Sequence, residues 1–145
     1  MIKEYSKGRV FLGRLPFGGD LLAEAEKLAA QLQIKVGFLR IIGAVAKGTY
    51  AFYDQNKRTY QFHSLDEHLE IVSCIGNLTF LDGREKAHLH ITYSDKEGRC
   101  FGGHLSEGTV IFAAEFYLEE LLGEELHRCH DEETGLPLWK KERYV

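Results

Sequence analysis

Three histidines, His88, His90 and His104, carry the most specific chemistry in this sequence. Residues 87–93 read Ala-His-Leu-His-Ile-Thr-Tyr, with apolar side chains at the odd positions and polar ones at the even positions. In a strand, alternate side chains share a face, so His88 and His90 point the same way. The segment around His104 repeats the parity: Phe101 and Leu105 are apolar and odd, while Cys100, Gly102 and His104 are even. Register follows from keeping apolar positions on one face. Pairing Ser94 with Cys100 across a five-residue loop satisfies that rule and sets His104 opposite His90, with His88 diagonal to both.

Directly opposed residues have Cβ atoms roughly 5 Å apart and diagonal ones about 7 Å. Three imidazoles so placed can converge on one divalent ion at about 2.0–2.1 Å per bond. An isolated His-x-His is usually no more than two histidines on the wet face of a hairpin; the third in matching register points to a metal. Three histidines with no fourth protein ligand leave a coordination position open for water or a small molecule. Zinc fits, and ligand softness leaves nickel, iron and copper as alternatives. Gly102 and Gly103 beside His104 mark close approach of a ligand or another backbone and leave space above the imidazoles. Glu107, in the turn after His104, is a candidate outer acid or general base.

The other signals are weaker. His127 and Cys129 share a strand face but His130 does not, and His63 and His68 flank a turn as solvated side chains. Cys74, Cys100 and Cys129 are odd in number and far apart, which argues against a disulfide framework and reads as three small buried hydrophobes. No phosphate-binding glycine loop or nucleophile elbow is present.

The elements that must position the histidines are mostly strands. Val10 to Leu15 reads as a first strand, and Asp20 as the N-cap of a helix whose stripe is Leu21, Leu22, Ala25, Leu28, Ala29 and Leu32. Strands follow at Gly37 to Val45, Thr49 to Tyr53, Thr59 to His63, Leu69 to Phe80, Ala87 to Tyr93 and Cys100 to Leu105. Thr109 to Leu118 reads as a strand throughout or as a strand finishing in a helix, and Glu125 to His130 as the last strand. This pattern predicts an α+β fold, with one long amphipathic helix packed on a mostly antiparallel sheet.

The chain has 145 residues, 44% of them hydrophobic and 28% charged, which suits one domain over 1–145 with its core at about 8–138. No run approaches a membrane span and the first residues lack a signal-peptide core, so a soluble cytoplasmic protein is expected. The net charge of −4, with basic residues scattered among acids, disfavours direct DNA binding.

The whole pattern resembles the plant-and-prokaryote conserved (PPC) domain. The matching features are Gly8-Arg9-Val10, Pro16 to Leu22, Gly37-Phe38 to Ile42-Gly43-Ala44, Ile71 to Asn77, His88-Leu89-His90, Gly102-Gly103-His104-Leu105 and Gly108-Thr109-Val110. The tail Asp131 to Leu138 is also similar to the family. The resemblance implies a strongly bent antiparallel sheet, a homotrimer and a metal site at the three histidines. Plant members carry AT-hooks and bind nuclear partners. Here Gly13-Arg14-Leu15-Pro16 is not an AT-hook, and Glu67 to Val72 matches the plant partner-binding segment only in part. Three functions follow, in order: a trimeric regulatory or ligand-binding module with a zinc site; a metal-dependent hydrolase or lyase acting on a small molecule; a DNA-associated transcriptional regulator.

Overall fold

A computed structural model describes residues 2–140. Nine strands and one helix follow in the order β1 (Ser6–Leu15), α1 (Leu21–Leu32), β2 (Gly37–Asp54), β3 (Thr59–Leu65), β4 (Leu69–Leu81), β5 (Arg84–Ser94), β6 (Cys100–Leu105), β7 (Val110–Leu122), β8 (His127–Asp131) and β9 (Leu136–Trp139). All nine strands join one sheet, in the order β1-β7-β2-β6-β5-β4-β8-β9, with β3 on β2 and a further pairing of β2 with β4. Every pairing is antiparallel except β4 with β8.

The long strand β2 organises the sheet. Sequence patterning predicts two strands here, Gly37 to Val45 and Thr49 to Tyr53; the chain instead stays extended across all 18 residues. Its first half lies between β4 and β7, and its second half between β3 and β6. The partners change where the register shifts, between Ile41 and Gly43 and between Ala44 and Lys47. Gly43 has φ 141° there, and a Cβ at that position would collide with the Ala113 carbonyl oxygen. Only glycine meets both conditions, and bulges of this kind bend a strand without ending it.

The helix is shorter than the expected long one: 12 residues, about three turns. Asp20 caps it, its Oδ1 accepting from the Ala23 amide at 2.9 Å, and Gln33 ends it in the left-handed conformation. Leu21, Leu22, Ala25 and Ala29 are buried against the sheet. Glu26, from the same helix, accepts from Lys86 on β5 at 2.9 Å.

Elsewhere, Thr109 to Leu118 is strand from Val110 onward with no helical finish, and β9 was not expected. Pro137 weakens a strand reading of its segment, but β9 is the outermost strand and tolerates a missing donor. Cys74 is buried as expected, whereas Cys100 and Cys129 are exposed, which corrects the reading of all three as core residues. Among the described residues no helix is long and apolar enough to cross a membrane.

The core gathers Leu39, Ile41 and Val45 of β2, Leu69, Ile71, Cys74 and Leu78 of β4, and Leu89, Ile91 and Tyr93 of β5. Leu89 is fully buried while the flanking His88 and His90 are not. Leu89→Ala is therefore expected to destabilise the protein by about 2–5 kcal/mol, and His90→Ala by less than about 1 kcal/mol. Denaturant unfolding of the two variants checks this, and equal losses would contradict the assigned faces of β5.

Candidate metal centre

The β5–β6 hairpin has the register that parity requires: Ser94 opposite Cys100, and His90 opposite His104. His88 lies one pleat along on the same face, so all three imidazoles leave the sheet on the side away from Leu89, Ile91 and Tyr93. Their ring centroids stand 5.1 Å (His88–His104), 5.4 Å (His88–His90) and 5.7 Å (His90–His104) apart. One ligand nitrogen from each lies within 4.8 Å of the others. A tetrahedral ion with ordinary zinc–nitrogen bonds separates its ligand atoms by roughly 3.4 Å, so small side-chain rotations close the set.

Gly102 and Gly103 serve the backbone. A Cβ at Gly102 would strike the Ile91 carbonyl oxygen, and one at Gly103 would come within 2.6 Å of the Ala51 carbonyl oxygen. The two glycines let β6 fit between β5 and β2, which holds His104 against His90. Of the pair, Gly103 also lines the cavity in front of the imidazoles. Glu107 is exposed in the turn after β6 and does not line that cavity. His127 stacks on Phe80, with ring centroids 5.2 Å apart, and His63 stacks on Tyr50, at 4.9 Å. Neither joins the three-histidine group.

The cavity has a volume of about 580 Å³. Ala51, Phe52 and Tyr53 of β2, Tyr60 of β3 and Leu136, Pro137 and Leu138 at β9 wall it, and among the described residues no Asp or Glu lines it. The Tyr60 ring lies 5.3 Å from that of His104. Sequence patterning did not single out Arg128, which also lines the cavity and is 8% exposed. The available signal was its place between His127 and Cys129: their shared face turns Arg128 to the opposite one.

Burial lowers the His88 pKa to about 4, reinforced by the positive charge of Arg128 and by His104 and His90. Burial likewise lowers His104 to about 4, with His90, Lys86 and Arg128 adding to it. Both imidazoles are therefore neutral across physiological pH, the state in which nitrogen binds a metal. The donor set, three imidazole nitrogens facing a cavity, fits a borderline divalent ion.

In the unfolded chain both histidines titrate near 6.5. As pH falls below that value the unfolded state binds protons that the folded state refuses, so stability drops. The loss levels off below about pH 4, where the folded imidazoles also protonate. Metal-free protein is expected to lose on the order of 2 kcal/mol per imidazole across this window, after discounting for solvent screening. Urea unfolding from pH 7 to 4 measures it; His88→Asn is expected to show a visibly smaller loss, and an unchanged pH slope would contradict the burial of His88.

The family profile of the Plants and Prokaryotes Conserved (PCC) domain matches residues 2–122. The structure superposes on a metal-containing protein from Archaeoglobus fulgidus with a TM-score of 0.92 and 35% identity, over 97% of this chain and 99% of that one. A plant- and prokaryote-conserved protein from Pyrococcus horikoshii gives 0.93 and 32%, over 99% and 100% of the two chains. The bifunctional protein GlmU of a Synechococcus strain is 36% identical over 129 residues, which are 88% of this chain and 20% of the relative. This chain thus corresponds to about one fifth of the length of the curated relatives it matches. On the family match and the two full-length structural likenesses, the chain belongs to the Plants and Prokaryotes Conserved (PCC) domain family.

Proposed function

We propose that this protein is a homotrimeric ligand-binding module in which each protomer holds a zinc ion at His88, His90 and His104. The ion keeps one coordination position for a small molecule that enters the cavity. The observation that carries this reading is the convergence of three imidazoles, ligand atoms within 4.8 Å, at the wall of a cavity of about 580 Å³. That volume is ordinary for a small-molecule site. The Archaeoglobus relative described as metal-containing supports the metal. Zinc suits neutral nitrogen donors without redox chemistry. Apolar side chains left exposed on the sheet, among them Leu12, Ile42 and Phe112, support self-association.

A metal-dependent hydrolase or lyase is the second reading, favoured by the open position facing a cavity. Bound zinc lowers the pKa of its water and polarises a carbonyl. The residues around it favour binding over turnover: among the described residues no carboxylate lines the cavity to act as general base, and the imidazoles are taken up as ligands. Association with DNA has less support, because the net charge is −4 and counterion release needs clustered cations.

The test is elemental mass spectrometry on untagged protein, together with its mass in solution. Close to one zinc per protomer in a trimer is expected. His90→Ala is expected to lose at least about 90% of the bound metal while keeping its circular dichroism, since removing one of three ligands weakens binding by well over tenfold. Wild-type metal content in that variant would refute the three-histidine site.

A further inference from the structure

Arg128 stands out among the groups near the three histidines because it is buried and charged, yet has no acidic partner among the described residues. A guanidinium cannot give up its proton, so burial without a counter-charge is costly unless the site expects an anion. Strand pairing explains its position. Asn77 is opposite His88 and Thr79 is opposite Lys86 across β4 and β5, and Leu81 of β4 pairs with Arg128 of β8. These residues share the histidine face of the sheet.

The guanidinium is held there by neutral acceptors. Nε donates to Thr79 Oγ1 at 3.3 Å, Nη1 to the Pro137 carbonyl at 3.1 Å and Nη2 to Asn77 Oδ1 at 2.7 Å. Trp139 covers one face at 5.1 Å. Among the described residues no carboxylate pairs with it, and one N–H on each of Nη1 and Nη2 has no acceptor. Two such N–H groups complement the two oxygens of a carboxylate. The other cavity cation, Lys86, is already paired with Glu26.

We infer that Arg128 anchors an anion subsite beside the three histidines, and that the ligand of this cavity is a small organic carboxylate. This rests on the reading of the histidines as a metal site: its carboxylate meets Arg128 while a second oxygen takes the open metal position. Charge argues the same way. Imidazole ligands bring no negative charge to a divalent ion, Arg128 adds another positive charge, and among the described residues no acid in the cavity offsets either. The apolar walls, Phe52, Leu81, Leu136 and Leu138, suit an organic body more than a bare inorganic anion.

The test titrates glycolate, its uncharged analogue glycolamide and inorganic phosphate into the full chain, zinc-loaded and metal-free. Binding is followed by the Arg128 Nε–H resonance and backbone amide shifts. Saturable glycolate binding is expected, tighter than phosphate and at least about tenfold tighter than glycolamide. Arg128→Met is expected to lose about tenfold or more in glycolate affinity while keeping its zinc. Should Arg128→Met not fold, Arg128→Lys keeps the charge without the planar fork and is expected to bind glycolate several-fold more weakly. Wild-type glycolate affinity in the folded variant, or equal binding of glycolamide, would overturn the subsite, and tighter phosphate binding would overturn the carboxylate assignment. If the protein takes up no zinc, the three-histidine reading fails by itself. The metal-free titration still decides the subsite, through Arg128-dependent glycolate binding or its absence.

Discussion

Along β5, each step of one residue carries a side chain from the core to the cavity, and both sides of the sheet depend on that alternation. Ala87, Leu89, Ile91 and Tyr93 are buried, while Lys86, His88 and His90 face the cavity. A slip of one residue against β6 would place imidazoles in the core and leucine in the cavity. The hydrophobic side of the strand therefore fixes the geometry of the polar side. Gly102 enforces the same register from the backbone, because its place against the Ile91 carbonyl admits no Cβ. The three imidazoles need no stabilising interaction of their own to be aligned.

Electrostatics then sets what such a site accepts. His88 and His104 are kept neutral by burial and by the cations around them, and Arg128 stays charged where water is scarce. For Arg128, too, burial lowers the pKa, yet a guanidinium starts so high that it remains protonated. Imidazole nitrogens beside a fixed cation, with no carboxylate on the cavity wall among the described residues, make the local potential positive.

The cavity is assembled from segments far apart in the chain. Its floor comes from β5 and β6, one wall from β2 and β3, and the opposite wall from β8 and β9. The last of these lies beyond residues 2–122, the part that matches the family profile. Arg128 and the apolar residues at β9 therefore distinguish the far wall from the histidine floor.

The three histidines, their shared face and the pairing of His90 with His104 were legible in the sequence, because a strand period of two and a short hairpin loop leave few registers that keep leucine and isoleucine inside. The mostly antiparallel sheet and the Asp20 cap were legible for similar local reasons. The length of β2, the edge strand through Pro137 and the place of Arg128 on the cavity wall were not. Each depends on a partner distant in the chain: bulges that let β2 change neighbours, an edge position that tolerates proline, and a parallel pairing that carries β8 to β4. Local periodicity records which face a side chain occupies. Which charged group from another strand meets it there is decided only when the sheet closes.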